Sequence, residues 1–295
     1  MKTIKRYIPL ITPLDGNLNI DYLSLEKILF HIIDLEKIDN LIIFDNYSEY
    51  KLINVNDRID LINCIINNNN NNINLKLILK INDIYNYNDL IYEINKKLYK
   101  NIYYIILDFP FYYNKIYKED ILINYIKLFK YYKYLYFYFS IKKGCKIDEN
   151  FLLKLKNKCN NFIGILNKNN YNFQNYELIN NIDIIINNDL NLFNNINLNI
   201  SGVSSPLFYF FLNYFYNEIF LRIQNRKYLK FNNTYYNVIN FINILYKKIY
   251  TISGIKFLLH YLNICNFYIK DPIYNIDNIS YYKKLKILLN KIINN

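Results

Sequence analysis

The chain has 295 residues, of which 53% are hydrophobic and 20% charged, with a formal net charge of +12. That length holds one large domain or two small ones, and the apolar content excludes a disordered chain. There is no alanine, glycine and proline number only 5 each, and arginine occurs only at Arg6, Arg58, Arg222 and Arg226.

The depleted residues use GC-rich codons and the enriched ones (Lys, Asn, Ile, Tyr, Phe, Leu) use AT-rich codons, so the composition reads as the bias of an AT-rich genome. The net charge is discounted accordingly. The lysines are scattered, no nucleic-acid motif accompanies them, and no nucleic-acid partner is expected. Cys64, Cys145, Cys159 and Cys265 lack metal-ligand spacing, which argues against a zinc site and for reduced thiols in a cytoplasmic protein. The apolar stretch from Pro206 to Tyr216 falls short of the roughly 20 residues that cross a bilayer, so no membrane partner is expected.

Along the chain, short and nearly continuous apolar runs alternate with helical periods. Strands are expected at Ile4–Leu10, Asn40–Phe44, Leu75–Ile81, Ile102–Leu107, Tyr134–Phe139, Asn161–Leu166, Ile182–Ile186 and Ile196–Ser201, as in a parallel sheet buried on both faces. Leu25, Ile28, Leu29 and Ile32 follow helical spacing, as do Leu90, Ile91, Ile94 and Leu98. His31 falls on the apolar face of the first of these helices and reads as core, not ligand; His260 is given no role. Asn67–Asn72 reads as an exposed low-complexity insertion in an αβ loop, on the face away from the chemistry. Ser204-Ser205-Pro206 reads as an N-cap followed by a first-turn proline, opening a helix to about Asn225. Three further helices are expected at Thr234–Tyr250, Gly254–Ile264 and Ser280–Ile293.

Eight strands, each followed by a helix, predict an α/β fold: a (β/α)8 TIM barrel over residues 1–225 with a C-terminal helical extension over 226–295. Chemistry in such barrels sits at the C-terminal strand ends. Here those ends carry Asp45-Asn46-Tyr47-Ser48-Glu49, Asn82-Asp83, Asp108-Phe109-Pro110, Phe137–Lys142, Leu166-Asn167-Lys168, Asn187-Asn188-Asp189 and Ser201-Gly202.

These segments carry a resemblance that runs end to end. Thr12-Pro13-Leu14-Asp15-Gly16, the Glu49 that ends the segment after strand two, Pro110-Phe111-Tyr112-Tyr113-Asn114-Lys115 with Glu119, Lys142-Lys143-Gly144-Cys145, Asn161-Phe162-Ile163-Gly164-Ile165, Ile200–Ser205, Gly254-Ile255-Lys256 and Lys270-Asp271-Pro272-Ile273 follow one another in order. In this order they resemble the motifs of the dihydrodipicolinate synthase and N-acetylneuraminate lyase family of pyruvate-dependent class I aldolases. The resemblance implies a synthase that condenses pyruvate with aspartate semialdehyde in lysine biosynthesis, by a Schiff base, without a metal or diffusible organic cofactor. It also implies a homo-oligomer, a dimer or a homotetramer, with Tyr113 near a subunit boundary.

The departures fall on the chemistry. The Schiff-base lysine position is Leu166, the proton-relay tyrosine position is Phe137, and the two relay threonines fall on Asn46 and Tyr47. The carboxylate-binding arginine falls on Lys142, and Ile200 opens the substrate-binding turn after strand eight. Lys168 is the first candidate for a substitute nucleophile, since residues two apart on a strand share a face. Lys80 is the second. Two alternatives stand beside the synthase reading: a non-catalytic barrel of the same family, which Leu166 favours, and a lyase-like aldolase.

Overall fold

The computed structural model describes residues 4–35, 38–72, 76–81, 102–108, 118–141, 148–167, 181–187, 189, 200–214, 233–270 and 279–293. The strands are β1 (Lys5–Pro9), β2 (Asn40–Ile43), β3 (Lys76–Ile81), β4 (Ile102–Asp108), β5 (Tyr136–Ile141), β6 (Phe162–Asn167), β7 (Asp183–Ile186) and β8 (Gly202–Ser204). They form a closed barrel in chain order, β1 to β8. Helices α1 (Tyr22–Asp34), α2 (Val55–Asn72), α3 (Lys118–Tyr131), α4 (Glu149–Lys158) and α5 (Phe208–Tyr214) accompany the strands, and α6 (Asn233–Lys247), α7 (Thr251–Tyr261) and α8 (Ile279–Ile293) form the C-terminal extension.

The expected strands lie where the apolar runs put them, with two displacements. β5 starts at Tyr136, and Tyr134 is 85% exposed. β8 is Gly202–Ser204, beyond the expected Ile196–Ser201. Its register needs glycine at position 202, because a Cβ there would lie 2.4 Å from the Tyr7 ring and 2.9 Å from the Lys5 carbonyl oxygen. The asparagine run is also corrected, because α2 continues through Asn72 and takes the run up as its last turns. Asn68 Nδ2 donates to the Cys64 carbonyl at 3.0 Å, back-bonding one turn as a helical side chain can.

The chain divides into two compact units. One joins residues 8–75 to 205–295. In it the Leu10 amide donates to the Ile42 carbonyl at 2.8 Å, pairing β1 with β2. Asp21 caps α1, its Oδ1 accepting from the Ser24 amide at 3.0 Å. Ser205 Oγ accepts from the Leu207 amide at 3.0 Å in the turn ahead of α5, which begins at Phe208, two residues beyond the proline expected in its first turn. The helix that follows kinks at Phe211. His31 is half-buried, with its Nε2 2.8 Å from the Tyr209 carbonyl oxygen.

The second unit joins residues 2–7 to 76–204. Its strands pair in parallel from β3 to β8, and β8 pairs with Lys5–Tyr7. Asn161 ties α3 to β6: its Nδ2 lies 2.9 to 3.2 Å from the carbonyls of Phe129, Tyr132 and Leu135. These belong to the last turn of α3 and the chain that follows it, where helix carbonyls lack intrahelical donors. The expected boundary at 225/226 falls outside the described residues.

Candidate active site

The two faces of β5 can be assigned from its contacts. Phe137 stacks on Phe129 of α3 at 4.3 Å between ring centroids, and Phe139 meets Tyr125 edge-on at 4.6 Å. Odd-numbered residues therefore face the helix layer. Tyr136, Tyr138 and Ser140 take the inner face, since successive strand residues alternate. Tyr138 confirms this: its hydroxyl is 3.4 Å from Asp183 Oδ2 and its ring is 5.7 Å from Tyr104.

This geometry bears on the tyrosine position of the sequence reading. Phe137 is buried against a helix, and the phenol on the inner face of β5 belongs to Tyr138. Burial, with Tyr7 and Asp183 adding to it, pushes that phenol far above the ordinary tyrosine range, so it is a neutral hydroxyl. The register between β5 and β6 shifts by one residue between Phe137 and Tyr138, so that Phe137 pairs with Phe162 but Tyr138 pairs with Gly164. Gly164 fits because a Cβ there would lie 2.0 Å from the Asp183 carbonyl oxygen.

From Gly164 the inner face of β6 continues to Leu166. One row crosses the C-terminal ends of four strands: Asp108 pairs with Ser140, Ser140 with Leu166, and Leu166 with Ile185. Paired residues in parallel strands point to the same side, so all four face inward. Leu166 is fully buried. Lys80 joins this row from β3. It pairs with Ile106, one inward step before Asp108, and its Nζ lies 3.6 Å from Asp108 Oδ1. Lys80 is 1% exposed and Asp108 5%. Ser140 is wholly buried, and its Oγ has no hydrogen-bond partner among the described residues.

Interiors of such barrels are ordinarily filled by branched apolar side chains. A buried ammonium–carboxylate pair beside an unpartnered hydroxyl is a different filling, and burying those charges opposes folding. The sequence carried a signal for it: Lys80 is the lone charge within Leu77–Ile81, with the parity of Ile78. Ser140 carried none, and alternation could not assign Tyr138 to the inner face, because β5 is aromatic at both parities.

The other site positions are placed as follows. Ile200 is buried just before β8. Asn46 is exposed and Tyr47 half-buried, with the Tyr47 hydroxyl 3.4 Å from that of Tyr246 in α6. Glu49, next in that segment, is buried and forms an ion pair with Lys256 of α7. Tyr113, Lys142 and Lys168 lie outside the described residues. His260 is exposed, its Nδ1 3.1 Å from the Cys265 carbonyl oxygen.

No family model matches the chain. A curated relative, the 4-hydroxy-tetrahydrodipicolinate synthase of Karelsulcia muelleri, is 27% identical over 280 residues, 90% of each chain. Among solved structures, N-acetylneuraminate lyase from Fusobacterium nucleatum superposes with a TM-score of 0.80 at 18% identity, covering 99% of both chains. The 4-hydroxy-tetrahydrodipicolinate synthase of Methylacidiphilum fumariolicum SolV superposes at 0.76 with 17% identity, over 99% of this chain and 97% of the other. At those identities the structural matches show the fold, a (β/α)8 barrel with a C-terminal helical extension. With the curated relative, they bear out the resemblance that the sequence motifs carry to the dihydrodipicolinate synthase and N-acetylneuraminate lyase family.

Proposed function

We propose that this protein is a pyruvate-dependent aldolase of the synthase type, condensing pyruvate with aspartate semialdehyde to give 4-hydroxy-tetrahydrodipicolinate for lysine biosynthesis. The observation that carries the reading is the polar inner row at the strand ends. A barrel kept only as a scaffold has no use for the Lys80–Asp108 pair and a Ser140 hydroxyl unpartnered among the described residues, which oppose folding where they are buried. The curated relative supports the synthase over the lyase, as do the cation and Gly-Cys pair of Lys142-Lys143-Gly144-Cys145. On this reading Lys142 holds a substrate carboxylate through charge, without the bidentate fork of arginine. Tyr113 lies at a subunit boundary of a homo-oligomer, and the protein works in the cytoplasm on small carboxylate substrates.

The test is turnover. Purified protein with pyruvate and aspartate semialdehyde should consume both in equal amounts, and N-acetylmannosamine should not replace the aldehyde. A second reading, a barrel that has lost its catalyst, is favoured by Leu166, an aliphatic residue on the inner row at the family's lysine position. Pyruvate consumption indistinguishable from a buffer blank would establish it.

A further inference from the structure

We infer that Lys80 is the amine that forms the imine with pyruvate, with Asp108 as its proton carrier and Ser140 beside them. This inference rests on the aldolase reading above. That reading requires a lysine facing the barrel interior near the C-terminal strand ends, and Leu166 cannot serve.

Three independent observations select Lys80. It is the penultimate residue of β3, on the strand face shared with Ile78, and its side chain is buried. Its Nζ stands 3.6 Å from the carboxylate that ends β4. Asp108 is paired in register with Ser140, whose buried hydroxyl lacks a partner among the described residues, and Ser140 is paired in turn with Leu166. The row therefore presents an amine, a proton acceptor and a hydroxyl beside the position that the family's nucleophile occupies. An unpaired buried hydroxyl costs stability unless a ligand satisfies it, and a carbonyl or carboxylate oxygen of a keto acid is such a ligand.

The step balances with the groups present. Asp108 takes one proton from the Lys80 ammonium. The free amine adds to the ketone carbon of pyruvate, forming the C–N bond, and a proton moves from nitrogen to the former carbonyl oxygen to give a carbinolamine. Asp108 returns its proton to that hydroxyl, the C–O bond breaks, and water leaves. The product is a protonated imine whose positive charge stays paired with the Asp108 carboxylate. Beyond the carboxylate that pyruvate itself brings, the step creates and removes no net charge, which a buried setting favours. Lysine is suited to the role because its pKa responds to burial, whereas arginine stays protonated.

The experiment is reductive trapping. The full-length protein is incubated with pyruvate and borohydride, digested, and its modified lysine located by tandem mass spectrometry. The expected result is a single adduct on Lys80, lost in both Lys80→Met and Lys80→Arg. The arginine variant keeps the cation beside Asp108, so a loss there in protein with unchanged circular dichroism reports the missing amine and not a misfolded barrel. Asp108→Asn should slow trapping on the order of 10²-fold, the usual scale for a positioned acid–base group, and remove the pH dependence that the carboxylate imposes on the trapping rate. An adduct on any other lysine overturns the assignment and leaves the aldolase reading standing. Steady turnover of pyruvate and aspartate semialdehyde with no adduct on any lysine also overturns it. Absence of both adduct and turnover overturns the aldolase reading together with it.

Discussion

Removing the charge of Lys256 should destabilise the protein by about 3–5 kcal/mol, because it strands a buried carboxylate. Lys256 is fully buried in α7 and is ion-paired with Glu49 Oε2. Its Nζ also donates to the Tyr268 carbonyl at 2.8 Å, and Glu49 Oε1 accepts from the Lys270 amide at 2.9 Å. Glu49 itself sits at φ 49°, a left-handed conformation in which a non-glycine residue is held by its contacts. Burial pulls the Lys256 ammonium below the usual lysine range, and the Glu49 carboxylate pulls the other way without fully cancelling it. The pair is therefore costly to form and costlier to break from one side.

Lys256→Met keeps an unbranched stem of similar length but leaves Glu49 with the Lys270 amide and no counter-charge. Urea unfolding followed by far-ultraviolet circular dichroism reads the loss. With a denaturant slope of about 3 kcal/mol per M for a chain of this size, the midpoint should fall by about 1–1.7 M. Glu49→Gln in the same molecule removes the stranded charge while keeping an acceptor for the Lys270 amide, so the double variant should regain most of that shift. The pH dependence has a defined sign. Where the folded pKa lies below 10.5, the unfolded chain binds more protons over the interval between the two values, so this group's contribution to stability rises with pH there. Lys256→Met removes that slope. A single variant within about 0.3 M of the parent, or a double variant no better than the single, would refute the reasoning.

Three further outcomes are expected. Phe137→Ala should cost about 3–5 kcal/mol of stability, since the ring is buried on Phe129, and should leave the pyruvate KM of the folded fraction unchanged; a pyruvate-specific defect measured in steady-state kinetics would place the ring on the inner face after all. Burial pushes the Cys265 thiol up from 9.0 to about 12, so the folded state keeps a proton that the unfolded state releases; stability falls by up to about 1.4 kcal/mol per pH unit above pH 9, and Cys265→Ala should flatten that decline in urea titrations at pH 9 and 10.5. Gly202→Ala should prevent β8 from pairing, because its Cβ would press on Tyr7 and on the Lys5 carbonyl; soluble protein with a parental circular dichroism spectrum and melting curve would show the register to be different.

Most of the barrel was legible because its strands are short apolar runs bounded by polar residues, a pattern that needs only local sequence. The exceptions are places where a distant residue decides. β8 is a Gly-Val-Ser segment with almost no apolar signal, and its glycine is required by the Tyr7 ring, roughly two hundred residues earlier in the chain. The asparagine run reads as a loop by composition, since asparagine is a weak helix former, yet α2 continues through it to Asn72. Glu49 and Lys256 each stood out as motif residues, but nothing in their spacing said that they would meet.

The face of β5 shows why the site was harder to read than the fold. Tyr136-Phe137-Tyr138-Phe139 is aromatic at both parities, so alternation cannot choose the inward pair. The choice is made by packing: Phe129 and Tyr125 of α3 take the two phenylalanines, and the Asp183 carboxylate receives the Tyr138 hydroxyl. A one-residue change of register exchanges every side chain between the two faces, so an ungapped match that places the family's tyrosine on Phe137 can be correct in alignment and still name a side chain outside the pocket. Lys80 is placed by a different signal. Its strand, Lys76-Leu77-Ile78-Leu79-Lys80-Ile81, is apolar at both parities too, and the face of Lys80 is set by its pairing with Ile106 and its ion pair with Asp108. A charge there must either reach solvent past the rim or find a buried partner, and Asp108 at the end of the neighbouring strand is that partner. A lysine flanked on both sides by apolar strand residues is thus the more informative signal. Lys168, two residues beyond Leu166, was put first because it shares that strand face, whereas Lys80 is singled out by the energetics of burying its charge.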